Sequence, residues 1–191
     1  FKAMCRRLEE LKVNTEDLVL VFDKGIDSKD NIDMILGKMH VVGSLPRDDA
    51  RELLEEATRR QFEHVYTNAN RHDISAWRTR STFFGREFEV VVQHNPASQA
   101  RQEETYERQR AKILEGVEAL RKSCTRDGPG RRPTEKGIIN RLGDLVHKDL
   151  RGIFDYGIGK TEDGHPCPWF EFKEGAEEAY RRSLGMMVMF T

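Results

Sequence analysis

The residues from Leu18 to Leu45 constrain the fold more than any others. Leu18-Val19-Leu20-Val21-Phe22 is an unbroken apolar run, the pattern of a strand covered on both faces in a parallel or mixed sheet. Asp23-Lys24-Gly25 breaks it, and Ser28 is placed to N-cap a short helix carrying Ile32, Met34, Ile35 and Leu36, closed by Gly37. Met39 to Leu45 then reads as a second buried strand. A strand, a crossover helix and a strand in so short a span form a compact βαβ unit, so the two strands are expected to be parallel neighbours.

Elements on either side follow from periodicity. Phe1, Met4, Cys5, Leu8 and Leu11 recur at helical spacing, predicting an amphipathic helix that ends near Asn14. Pro46 at a first helical position, with Asp48 and Asp49 in the first turn, starts a helix ending near Arg60. Ser81 to Asn95 reads as a hairpin turning at Gly85-Arg86. A long helix is expected from about Ala97 to Ser123, with Tyr106, Ile113, Val117 and Leu120 on one stripe. The Gly- and Pro-rich stretch from Thr125 to Pro133 reads as a loop. A helix through Ile138, Leu142, Leu145 and Val146 follows, then short strands at Ile153–Ile158 and Pro168–Lys173, a helix near Gly175–Arg182 and a buried strand at Met186–Phe190.

The 191 residues suit one ordinary domain or one domain with a large insertion. A formal net charge of -1 with 34% charged residues commits the whole chain to neither nucleic acid nor an anionic membrane, so such binding has to come from local patches. The longest apolar runs, Leu18–Phe22 and Met186–Phe190, are too short to span a bilayer. Three cysteines, Cys5, Cys124 and Cys167, fit neither a disulfide framework nor paired zinc ligands, so a reducing cytoplasm is the expected location.

Asp23 is the sharpest candidate for chemistry. A carboxylate at the carboxyl end of a sheet strand, beside a glycine turn that admits a phosphate or a metal, is a natural Mg²⁺ ligand, although an Asp that merely starts a turn fits the same spacing. Gly157-Ile158-Gly159-Lys160-Thr161 has the ending of a phosphate-binding loop, but Phe154 stands where that motif needs its first glycine and no helix can follow. It is therefore read as a hairpin turn. His165 and Cys167 are the only close His/Cys pair, which makes a zinc site improbable. Between Arg121 and Lys136, six basic residues stand against Asp127 and Glu135, a local patch able to track a phosphate backbone or to remain a solvated linker.

The segments Leu18 to Asn31 (LVLVFDKGIDSKDN) and His40 to Pro46 (HVVGSLP) resemble the DDE transposases of bacterial insertion sequences. In that family a strand ending in Asp-x-Gly is followed by a helix starting near an Asn and a strand ending in a Gly-Ser-Leu-like turn. Weaker echoes are Val90 to Asn95 ahead of a long helix and Gly185 to Thr191 as a strand re-entering the catalytic core. The resemblance implies an α/β fold: a partial ribonuclease-H-like sheet, made of a βαβ unit plus a returning strand, interrupted by a large α+β insertion. Residues 1–46 would be the core segment, 47–183 the insertion subdomain and 184–191 the returning strand.

It also implies that Asp23 is the second Asp of the DDE triad, catalytic and metal-binding. The first Asp would lie upstream of Phe1 and the Glu beyond Thr191, so the isolated chain is expected to be inactive. The implied activity is that of a polynucleotidyl transferase: two Mg²⁺ (or Mn²⁺) ions about 4 Å apart activate water and then a DNA 3′-hydroxyl for attack on phosphorus. Implied partners are transposon-end and target DNA, with a homodimer in the full-length protein. Arg126, Arg131, Arg132 and Lys136 are the DNA-contact candidates. The alternative is a non-catalytic α/β scaffold or interaction module whose helices from 97 to 148 bind a protein partner.

Overall fold

The computed structural model describes residues 2–23, 28–125, 132–146 and 150–191. The chain is mixed α/β and packs as two compact units, one drawn from Phe1–Gln99 and Gly185–Thr191, the other from Ala100–Leu184.

The first unit is built on a six-stranded sheet. Its strands are β1 (Val19–Phe22), β2 (His40–Leu45), β3 (Glu63–Thr67), β4 (Asp73–Phe83), β5 (Arg86–His94) and β8 (Met186–Phe190), with helices α1 (Lys2–Glu10), α2 (Lys29–Ile35) and α3 (Arg51–Ala57). The spatial order is β1-β2-β8-β5-β4-β3. β1 and β2 are parallel, in the register Leu20↔Val41 and Phe22↔Gly43. Every other neighbouring pair is antiparallel, and β8 lies between β2 and β5. The βαβ unit thus forms where the sequence places it, and Met186–Phe190 joins the same sheet.

The crossover helix has local causes. Ser28 adopts extended backbone at φ −103° and its Oγ accepts from the Asn31 amide at 3.3 Å, satisfying one of the free donors at the helix start. Ile32 and Ile35, one turn apart, are fully buried. They join Phe22, Val41, Leu45, Leu53, Leu54, Val90, Val92, Val188 and Phe190 in one core. Gly43 sits at its tightest point: a Cβ there would lie 2.5 Å from the Phe190 ring and 2.7 Å from the Phe22 ring. Those rings meet edge to face at 5.9 Å, so any side chain between them would have to displace one.

Several expectations need correction. β1 is not a central strand covered on both faces: among the described residues it is the sheet edge, and Val19 and Val21 are 56% and 72% exposed. Strand alternation is the reason, since Leu20 and Phe22 take the core side and leave both valines outside. Pro46 does not open α3. It ends β2 and begins a turn closed by the Ala50 amide on its carbonyl at 3.1 Å, so Asp48 and Asp49 precede the helix. α1 stops at Glu10, short of Asn14, with Lys12 at φ 53° breaking the spiral. The β4–β5 turn is centred on Phe84-Gly85 rather than Gly85-Arg86, because both positions take positive φ, 54° and 79°, as a two-residue primed turn requires. Finally, β3 and the first half of β4 arise from residues 61–80, a span whose sequence announces no element.

The second unit contains α4 (Pro96–Thr125) from residue 100 onward, α5 (Glu135–Leu145), a hairpin of β6 (Phe154–Lys160) and β7 (Pro166–Phe172), and α6 (Ala176–Arg182). The stripe of Tyr106, Ile113, Val117 and Leu120 is buried, in line with its spacing, and extends to Cys124. Its core partners are Ile138 and Leu142 of α5 and the clustered rings of Phe154, Phe170 and Phe172. Thr134 caps α5 by accepting from the Gly137 amide at 3.3 Å. No helix among the described residues is long and apolar enough to cross a membrane.

Candidate functional site

Asp23 follows directly on the last residue of β1, one step beyond the paired register Phe22↔Gly43. In that position it stands beside Ser44 of β2, whose Oγ donates to Asp23 Oδ1 at 2.6 Å. Ser44 is only 7% exposed while Asp23 is open to solvent, so a rigid hydroxyl in the sheet holds an accessible carboxylate. That hydrogen bond to a charged acceptor orients the carboxylate. Ser44 belongs to the Gly-Ser-Leu sequence that carries the resemblance, but its bond to Asp23 is not legible there, because it depends on a cross-strand register that neither strand encodes alone.

Could this set hold a metal? Among the described residues no group of three or more His, Cys, Asp or Glu side chains gathers for one. One carboxylate leaves most of an octahedral Mg²⁺ shell to water, which Mg²⁺ gives up reluctantly. Asp23 with Ser44 is therefore a fragment of a possible donor set, and the described residues do not form a metal centre on their own.

Of the basic stretch, Arg126 and Arg131 lie outside the described residues. Arg132 is half-buried, and Lys136 is exposed in the first turn of α5. Two neighbours in the stretch already have protein partners: Arg121 Nε donates to the Pro168 carbonyl at 3.3 Å, and Lys122 Nζ lies 3.8 Å from Glu118 Oε1. Asp23 belongs to the first unit, Arg132 and Lys136 to the second. The Gly157–Thr161 run enters a hairpin turn, in which the Thr161 amide donates to the His165 carbonyl at 2.8 Å, and not the helix that a phosphate-binding loop needs. His165 is an exposed residue of that turn.

An ion network in the second unit has no counterpart in the sequence patterning. Arg181 of α6 bonds Glu103 and Glu107 of α4 and also Glu177 of its own helix. Arg110, which interrupts the α4 stripe, lies 3.2 Å from Glu177 and 4.8 Å over the Phe172 ring. Burial pushes the Glu177 carboxyl up, but the nearby Tyr106 hydroxyl, the hydrogen bonds from Arg181 and the charges of Arg110 and Arg181 outweigh it and leave the pKa below its usual value. The Tyr106 hydroxyl is buried and faces Glu177; burial first, then Glu177, drives its pKa upward. Every charge in the network has an opposite partner, so it fastens α6 to α4. Comparison with protein-family models, curated proteins and solved structures finds no match.

Proposed function

We propose that this chain is part of a DDE-type transposase, an enzyme of metal-dependent DNA strand cleavage and strand transfer, and that Asp23 supplies one of its metal-binding carboxylates. The observation that carries the reading is the Ser44 hydroxyl 2.6 Å from an exposed Asp23 at the carboxyl end of a strand parallel to β2. The parallel pair, its crossover helix and the returning β8 support a ribonuclease-H-like sheet, with the intervening residues as an insertion that contacts transposon-end or target DNA. On this reading Asp23 binds and orients, and the other ligands come from outside the described residues.

Magnesium titration of the chain, followed by amide NMR, tests the reading. Weak, fast-exchange shifts centred on Phe22, Asp23 and Ser44, abolished by Asp23→Asn, are the expected result. Shifts that persist in Asp23→Asn, or that centre elsewhere, would remove Asp23 from the metal site. The second reading, a non-catalytic α/β interaction module, is favoured by Leu114 of α4 and Ile139 of α5, which are 36% and 42% exposed on the helices it assigns to a protein partner.

A further inference from the structure

Two cysteines of the second unit have no part in the Asp23 reading. Cys124 lies in the last turn of α4, four residues after Leu120 on the buried stripe, and is 1% exposed. Cys167 lies on β7, half-buried, and packs against the core cluster that contains Cys124. The meeting of helix end and strand is visible one turn before Cys124, where Arg121 Nε donates at 3.3 Å to the carbonyl of Pro168, the residue after Cys167. Burial is the main cause that raises the Cys124 pKa, and the Cys167 thiol adds to it. Neither cysteine is in a disulfide, and Cys167 Sγ makes a long contact of 3.9 Å to the Pro168 carbonyl. Across the hairpin Cys167 faces Gly159, which places no side chain over the sulfur.

We propose that Cys124 and Cys167 are a thiol pair that closes into an intramolecular disulfide, with Cys167 as the thiol that meets the oxidant. With a disulfide oxidant such as oxidised glutathione, the Cys167 thiolate attacks one glutathione sulfur, the glutathione S–S bond breaks and one glutathione thiolate leaves. The Cys124 thiol gives its proton to solvent and attacks the Cys167 sulfur of the mixed disulfide, displacing the second glutathione thiolate. Two protein thiols are oxidised and one glutathione disulfide is reduced. The order follows from access, because an attacking thiolate has to meet its oxidant in water. The product ties the end of α4 to β7 and fixes the point from which the basic stretch leaves the helix.

The test is to equilibrate the 191-residue chain in glutathione redox buffers, then count thiols after denaturation and map the peptides. Of three thiols, only Cys5 is expected to remain free in the oxidised form. The mass should fall by about 2 Da and one linked peptide should join Cys124 to Cys167. Cys124→Ala should trap glutathione on Cys167, and Cys167→Ser should leave Cys124 unmodified. Persistence of all three thiols across the redox series, including the most oxidising buffer, would overturn the proposal. A disulfide that includes Cys5, or a dimer linked through Cys167, would overturn it equally. The peptide map of the unmutated chain decides even if the Cys124→Ala core does not fold.

Discussion

Residue by residue, the end of the β1–β2 pair combines one position legible in the sequence with two that are not. Asp23 is legible because an apolar run that stops at a carboxylate and a glycine marks a strand end. Ser44 and Gly43 are not, because their importance lies in what neighbouring strands bring to them. Gly43 is a buried strand residue with two aromatic rings in the space of its missing side chain. Gly43→Ala has to displace the Phe22 or Phe190 ring, an overpacking of the kind that costs about 1–3 kcal/mol. Urea unfolding should show the midpoint falling with an unchanged slope, and a midpoint within error of the original chain would mean that the rings move without cost. Because Ser44 is the next residue, the same variant should also perturb the Asp23 amide, a local effect that NMR separates from the global loss.

Among the helices and strands, strong periodicity translates faithfully into structure and weak periodicity does not. The α4 stripe and the Ser28 cap are legible because spacing and capping are local. β3 is invisible in the sequence because it is exposed along its whole length and carries no apolar alternation to display. β1 shows the opposite error: an all-apolar strand looks doubly covered, yet its outer valines meet solvent. An uncovered apolar edge invites pairing with another chain, and a charge at the edge is the usual protection. Val21→Lys, on the outer face, should therefore reduce light scattering of concentrated solutions while leaving the melting temperature nearly unchanged. A large drop in melting temperature would show that Val21 is covered in solution. The α6 clasp makes a prediction in pH. The Glu177 pKa is lower in the folded chain than its ordinary 4.5, so its contribution is fully present above about pH 4.5 and is lost as pH falls through the depressed folded value. Acid titration of stability should be shallower below that point in Glu177→Gln than in the original chain, and parallel curves would assign the acid sensitivity to other carboxylates.

Over the full chain, the parallel β1–β2 pair and the return of β8 to their sheet are readable, while the partnership of β8 with β5 is not, because the two strands lie far apart along the chain and neither names the other. Charge is likewise a matter of distribution: a net of -1 over 191 residues gives no general attraction to DNA, so binding depends on where basic residues cluster. If the stretch ending at Lys136 lies against phosphates, replacing Arg126, Arg131, Arg132 and Lys136 together by Gln should weaken binding of the full-length protein to DNA of any sequence. Each phosphate no longer neutralised by the protein should flatten the slope of log affinity against log salt by about 0.9, since fewer counterions are released. A stretch remote from the duplex would show neither change, because exposed charges are screened within about 8 Å at physiological salt. Arg121 and Lys122 provide the internal control. Their partners are Pro168 and Glu118, so neutralising these two alone should leave the salt slope where it was. A slope that flattens in this control and not in the quadruple variant would move the DNA-binding surface from residues 126–136 to the end of α4.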